Sequence, residues 1–256
     1  MKDEMQSRLS ASLPCCCPLT SSFILHPLLS LVGTPIGNLG DITLRALETL
    51  RAADVIACED TRHSLRLLER YEIRKPLVSF HEHNEARRTQ ELVSRLREGA
   101  NVALITDAGL PSVSDPGARL VRACIEAGLP YTVIPGPSAV LTGLVGSGLS
   151  AENFFYGGFL PPKSGGRERD LLLALERRET SVFFESPHRL ERTLEVLARH
   201  APTRALCVAR ELTKQFEEFR RGNSAELLEH YRAHPPKGEI TLVVSGAEEA
   251  AREAKS

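Results

Sequence analysis

The sequence predicts a two-domain α/β protein, with a parallel-sheet N-terminal domain and a mixed-sheet C-terminal domain. Three observations predict it. From residue 28 to residue 144, short apolar runs alternate with helix-length amphipathic segments, the pattern of strands joined by crossover helices. After Gly146-Ser147-Gly148 the strand candidates turn aromatic and glycine-bearing, and two of them are joined by a connection too short for a parallel crossover. At 256 residues and 42% hydrophobic, the chain is also long enough to bury two cores.

Residues 28–32 read as a buried strand, followed by the loop Gly33-Thr34-Pro35-Ile36-Gly37-Asn38-Leu39-Gly40. Asp41 is expected to cap a helix with Leu44, Leu47 and Leu50 on one face. Strands follow at 54–58, 76–80 and 101–106, the last ending at Asp107, with helices at 61–71 and 85–98. A helix at 119–127, a strand at 131–134 and a helix opening at 138–144 complete the first half. In the second half, strands are read at 154–159, 181–185, 205–210, 216–220 and 239–244. Helices are read there at 167–177, 189–199 and 225–231. The boundary falls near 148–152, giving domains at 28–148 and 152–246 and a frayed tail at 247–256.

Residues 1–27 read as a flexible extension, or as a start assigned too early. Pro14, Pro18 and Pro27 interrupt the apolar centre a signal peptide needs, and no run reaches a membrane span. Of the cysteines, Cys15, Cys16 and Cys17 are consecutive, while Cys58, Cys124 and Cys207 sit singly in apolar segments. That spacing holds no zinc-type pair, so no metal is expected, and the three single thiols read as core residues of a reduced, cytoplasmic protein. With 32 basic and 33 acidic residues, any basic surface must be local. The absence of Trp and the 5% aromatic content speak against a base-stacking platform.

Three loops at strand ends have unusual composition, and strand ends are where open α/β sheets bind ligands. The loop 33–40 lacks both the dinucleotide glycine spacing and the P-loop lysine. The second, Thr106-Asp107-Ala108-Gly109-Leu110-Pro111-Ser112-Val113-Ser114-Asp115-Pro116-Gly117, packs two carboxylates, two prolines and two glycines into twelve residues. Asp107 ends an apolar strand and reads as a ligand carboxylate; Asp115 before Pro116 reads as a helix cap. In Pro135-Gly136-Pro137-Ser138-Ala139, Ser138 is placed to cap the next helix, and the small residues permit close backbone approach.

In order, residues 31–43, 55–64, 79–85, 104–117, 134–139, 156–169, 183–189, 209–222 and 238–243 resemble the tetrapyrrole methylase superfamily. More narrowly, they resemble its branch that modifies ribosomal RNA. The resemblance implies a class III, two-domain methyltransferase that binds S-adenosylmethionine between its domains, usually as a homodimer. It implies methyl transfer to the ribose 2′-hydroxyl of a decoding-region cytidine in 16S rRNA, on naked RNA or the small ribosomal subunit. Carried over by motif, the cofactor contacts would be Pro35, Asp107, Leu110, Ser138, Ala139, Phe184 and Ile240. The second loop departs from the Gly-Asp-Pro of many tetrapyrrole-acting relatives, reading Thr106-Asp107-Ala108-Gly109 instead.

Arg62, Arg66, Arg70 and Arg74 recur every four residues, as a phosphate-gripping stripe or as a solvated face offset by Glu69 and Glu72. Lys163, Arg167 and Arg169 follow Pro161-Pro162 as a mobile basic finger. RNA contacts are therefore expected at Arg62, Arg66, Lys163 and Arg167. For a base that takes the hydroxyl proton, Glu59, Asp60, Glu185, Glu211 and Lys214 are candidates, with His81 and His188 as further ones. The rival readings are a tetrapyrrole C-methyltransferase and a non-catalytic RNA-binding assembly factor.

Overall fold

The computed structural model describes residues 29–247. The expectations for residues 1–27 and for the tail beyond 247 lie outside the described residues. The first half runs β1 (Leu29–Val32), α1 (Leu44–Ala52), β2 (Val55–Cys58), α2 (Thr61–Arg70), β3 (Leu77–Ser79), α3 (Glu85–Arg97), β4 (Val102–Leu104), α4 (Ala118–Glu126), β5 (Tyr131–Ile134) and α5 (Ala139–Ser147). Its strands are parallel, in the order β3-β2-β4-β1-β5. Alternate strand residues explain the unbroken apolar runs. Val32, Ile56, Cys58 and Ala103 pack under Leu47 and Leu50 of α1 and Leu68 of α2. Their neighbours Leu31, Val55, Ala57 and Leu104 pack on the other face under Leu92 and Leu96 of α3 and Leu120 of α4. A sheet covered on both faces needs apolar residues at every position.

The second half runs β6 (Phe154–Phe159), α6 (Ser164–Glu176), β7 (Thr180–Glu185), α7 (Pro187–His200), β8 (Ala205–Arg210), β9 (Glu218–Asn223), α8 (Ser224–Ala233) and β10 (Ile240–Val244). The sheet order is β6-β7-β10-β8-β9, mixed as predicted: β6 and β7 are parallel, and the other pairings are antiparallel. Leu171, Leu190, Leu194 and Leu227 bring α6, α7 and α8 onto one face. The other face is covered by α5, whose Val140 and Leu144 pack on Val182, Cys207 and Val243. A Cβ on Gly143 would stand 2.7 Å from Thr241 Cγ2, so α5 needs glycine to lie this close. The junction set near 148–152 thus follows a helix that already packs on the second sheet.

Several local readings are corrected. Thr43, not Asp41, caps α1 through the Ala46 N–H, because Leu39–Asp41 forms a separate 3-10 turn; Leu44 is exposed. Arg74 lies past the end of α2, beyond Glu72 at φ +55°, so the arginine stripe ends at Arg70. The strand read at 216–220 begins instead at Glu218, with Phe216 exposed in the connection. Helix α6 begins at Ser164, so the expected basic finger is largely its first turn, and Arg167 is buried with Nη1 donating to the Pro162 carbonyl. Cys58, Cys124 and Cys207 are free and buried, as read.

Candidate active site

The three unusual loops leave the C-terminal ends of β1, β4 and β5 and lock together. Thr34 exchanges backbone hydrogen bonds with Gly109, at 2.9 and 3.1 Å, and its hydroxyl donates to the Thr106 carbonyl at 3.1 Å. A Cβ on Gly33 would lie 2.8 Å from Gly136 Cα, so the first and third loops touch backbone to backbone. Here glycine is a packing requirement. The first loop also reaches the second sheet: Asn38 N–H donates to Thr213 Oγ1, and a Cβ on Gly37 would meet Lys214 Cγ.

The second loop is held in a strained path. Gly109, Ser112, Ser114 and Gly117 all have positive φ, costly at the two serines and sustained only where the surroundings fix them. Glu85 Oε1 accepts the Gly117 N–H at 3.0 Å, and the Ser114 and Tyr156 hydroxyls are 2.7 Å apart. Helix α4 has Gly117 as its cap position with no side-chain cap, so the reading of Asp115 as a cap is wrong. Asp115 faces the cleft instead. By contrast Ser138 caps α5 through the Leu141 N–H, as read.

Between these loops and the second sheet lies a cleft of about 450 Å³, within the range of small-molecule sites. Asp107, Leu110, Ser138, Ala139, Phe184 and Ile240 all line it. Pro35 does not; its neighbour Ile36 takes that place. Glu59, Asp115, Val140, Phe159, Leu212 and Thr241 complete much of the wall. Among the described lining residues there is no Lys, Arg or His. Phe184 packs against the rings of Tyr156 and Phe159, with centroids 5.4 and 5.2 Å away.

The candidate bases separate clearly. Asp60 caps α2 through the Arg62 N–H, and hydrogen bonds from Arg62 hold its carboxyl down to about 2. Its own N–H donates to Asp107 Oδ1 at 3.1 Å. Glu185 has a fully buried side chain that accepts from Ser186 N, Arg189 Nε and Thr193 Oγ1 at 2.7, 2.8 and 2.6 Å. Glu211, at φ +51°, bonds Lys214 Nζ, which also pairs with Glu239. Burial pulls the Lys214 ammonium down, but those two carboxylates outweigh it and leave it above its ordinary value. Neither Glu211 nor Lys214 lines the cleft. Burial and the Asp107 charge raise Glu59. Burial, then Glu59 and Asp107, push Asp115 up to about 6.

Residues 28–228 match the family described as Tetrapyrrole (Corrin/Porphyrin) Methylases. The chain belongs to the tetrapyrrole methylase family. Proteins named ribosomal RNA small subunit methyltransferase I are similar to it along most of its length. The one from Mesorhizobium japonicum is 50% identical over 231 residues, covering 90% of this chain and 79% of that protein. The one from Thermotoga maritima is 46% identical over 221 residues, covering 86% of this chain and 99% of that protein. A solved structure of uroporphyrin-III-C-methyltransferase from Thermus thermophilus aligns at a TM-score of 0.61 and 26% identity, covering 89% of this chain and 98% of that one. In this tetrapyrrole methylase, the wall residues that sequence reasoning missed include Ile36, Asp115, Val140, Phe159, Leu212 and Thr241. The signal for Asp115 was its spacing, since a second carboxylate eight residues after Asp107 in a rigid loop returns to the same cleft. Among the described residues, no helix is long and apolar enough to cross a membrane, and no acidic, His or Cys group is arranged to hold a metal.

Proposed function

We propose that this chain is an S-adenosylmethionine-dependent methyltransferase acting on ribosomal RNA. Its target is the ribose 2′-hydroxyl of a decoding-region cytidine in 16S rRNA, and it works in the cytoplasm as a homodimer. The observation that carries the reading is the chemistry of the cleft. Glu59, Asp107 and Asp115 stand beside an apolar wall, with no basic residue among the described lining. Such a lining suits a cationic ligand, and S-adenosylmethionine carries a sulfonium and an ammonium group. It repels a tetrapyrrole bearing several carboxylates, because like charges would meet in a partly dry space. The names of the similar proteins supply the RNA side.

The residues present fit that cofactor. Asp107 would accept from its hydroxyl or amino groups, Ser138 and Ala139 would offer close polar and backbone contacts, and Leu110, Phe184 and Ile240 would cover its apolar surface. Once bound, the cofactor supplies an electrophilic methyl group. Phosphates belong outside the cleft. Arg62 is well exposed at the start of α2, linked through Asp60 to Asp107, and Arg66 and Lys163 are exposed too. Arg167, being buried, has no part in that surface. A built cofactor cleft favours an enzyme over an inert assembly factor. For the homodimer, the exposed apolar residues Tyr131 and Val133 on β5 and Leu141 and Val145 on α5 are the support, and sedimentation at micromolar concentration is the check.

The deciding experiment incubates the protein with methyl-labelled S-adenosylmethionine and, in parallel, small ribosomal subunits, naked 16S rRNA or precorrin. Label in RNA supports the reading. Label in precorrin alone would move the activity to the tetrapyrrole branch, and no label in any arm would leave a binding protein.

A further inference from the structure

Methyl transfer to a ribose hydroxyl needs a group that takes the hydroxyl proton. The titratable side chains on the cleft wall are Glu59, Asp107, Asp115, Glu185 and Glu239. Glu185 is filled by its three donors and shielded from solvent. Asp107 accepts from the Asp60 N–H and holds the cofactor in the reading above. Glu239 is paired with Lys214 and largely exposed. Glu59 lies beside Asp107 and Asp60, and burial and the Asp107 charge raise it. Asp115 stands apart from all of these. Among the described residues no cation is placed to act on it, and it faces Glu59 after β2 and Asp107 after β4, with the Thr106 hydroxyl and Tyr156 of β6 beside it.

The backbone on either side of Asp115 is also fixed. Ser114 is tied to Tyr156, and Gly117 is tied to Glu85, which itself faces Arg119 of α4 at 3.9 Å. A Cβ on Gly117 would lie 2.6 Å from Ser112 Oγ, so this path tolerates only glycine there. Positive φ at Ser112 and Ser114 stores strain in the very segment that aims Asp115 into the cleft. A half-buried carboxylate set beside two others on a rigid loop is how proteins make a carboxyl basic enough to act near neutral pH.

We propose that Asp115 is the general base of the methyl transfer, accepting the proton of the attacking ribose 2′-hydroxyl. The proposal rests on the RNA 2′-O reading given above. The proton moves from O2′ to an Asp115 oxygen as the O2′–CH3 bond forms and the C–S bond breaks with its electron pair left on sulfur. Asp115 then returns the proton to water. Raised to about 6 by burial, Glu59 and Asp107, its carboxyl is ionised at neutral pH yet more basic than an ordinary aspartate.

The test uses the full chain with small ribosomal subunits and labelled S-adenosylmethionine, comparing the parent with Asp115→Asn, Asp115→Glu and Glu59→Gln between pH 5 and 9. The label is located by the resistance of 2′-O-methylated linkages to alkali. Cofactor affinity is measured separately by calorimetry. Asp115→Asn should lose 10²- to 10⁴-fold in kcat, on the scale of general-base catalysis, with the KM for subunits within a few-fold and cofactor affinity within about tenfold. The acidic limb of the parent's pH profile should vanish in Asp115→Asn, and it should persist in Asp115→Glu and Glu59→Gln. If the parent labels RNA elsewhere than O2′, the functional reading fails. If the parent labels O2′ and Asp115→Asn keeps its kcat and acidic limb, or Glu59→Gln loses the limb instead, Asp115 is not the base.

Discussion

Replacing Glu185 by alanine should cost far more in stability than any neighbouring surface change, because this carboxylate is a structural hub. Its side chain, at the end of β7, has no solvent exposure, while Arg189 in the first turn of α7 is only a quarter exposed. Deleting the carboxylate strands the Thr193 hydroxyl, itself fully buried, together with the Ser186 N–H and the Arg189 Nε. A stranded neutral donor costs about 1–3 kcal/mol and a stranded charged one more, offset here by the water Arg189 still reaches. Breaking a buried pair by removing one partner typically costs about 3–5 kcal/mol, and we expect Glu185→Ala in that range. At about 2–4 °C per kcal/mol for a chain of this size, the melting midpoint should fall by roughly 6–20 °C. Glu185→Gln, which keeps an acceptor oxygen, should cost about 1–3 kcal/mol. Urea unfolding with an unchanged m-value reads this directly. If Glu185→Ala unfolds within about 1 kcal/mol of the parent yet loses methylation, Glu185 acts in the chemistry and the hub argument is wrong.

Asp107→Ala should weaken S-adenosylmethionine by about 1–3 kcal/mol in calorimetry without unfolding the chain, the scale of a lost charged hydrogen bond. Gly136→Ala places a Cβ 2.8 Å from Gly33 Cα and should lower both stability and cofactor affinity, whereas Gly128→Ala, whose Cβ meets nothing within 4 Å, should leave cofactor affinity unchanged. Arg62→Ala, Arg66→Ala and Lys163→Ala should weaken RNA binding, each lost phosphate contact lowering the salt slope by roughly 0.7–0.9, while cofactor affinity holds. Arg167→Ala should instead show a loss of stability, since that side chain is buried. Asp115 gives a pH signature. Its folded-state pKa of about 6 lies above the ordinary aspartate value, so the folded chain binds the extra proton and stability falls as pH rises from about 4 to 6. Asp115→Asn should then be more stable than the parent at pH 8, with the difference gone by pH 4.

Much of the fold was legible because it follows from local patterning. Short apolar runs such as Val55–Cys58, set between helix-length amphipathic segments, read as strands covered on both faces, and the short link after Arg210 forces antiparallel pairing. Where α5 docks was not legible. Its residues are apolar nearly all round, so periodicity marks no face, and only the glycines against Thr241 and Phe219 reveal its partner. Arg167 looked like a free cation because Gly165 and Gly166 suggested a loop; in fact they sit in the first turn of α6. Asp115 was masked by an Asp-Pro-Gly pattern that local rules assign to helix starts. The strained turns that swing it into the cleft depend on Glu85 and Tyr156, residues far away in sequence. Asp107 and Ser138, by contrast, end a strand and open a helix, positions that sequence marks directly.

Delivery of a methyl group by this cleft to a ribose oxygen of ribosomal RNA, as proposed above, is open to direct measurement. The most direct measurement incubates the purified chain with methyl-labelled S-adenosylmethionine and small ribosomal subunits lacking the modification, then digests the RNA and identifies the labelled nucleoside by mass spectrometry. One labelled product is expected, 2′-O-methylcytidine, mapping to the decoding region of 16S rRNA. Label on a nucleobase, or label appearing only when a tetrapyrrole is supplied, would contradict it.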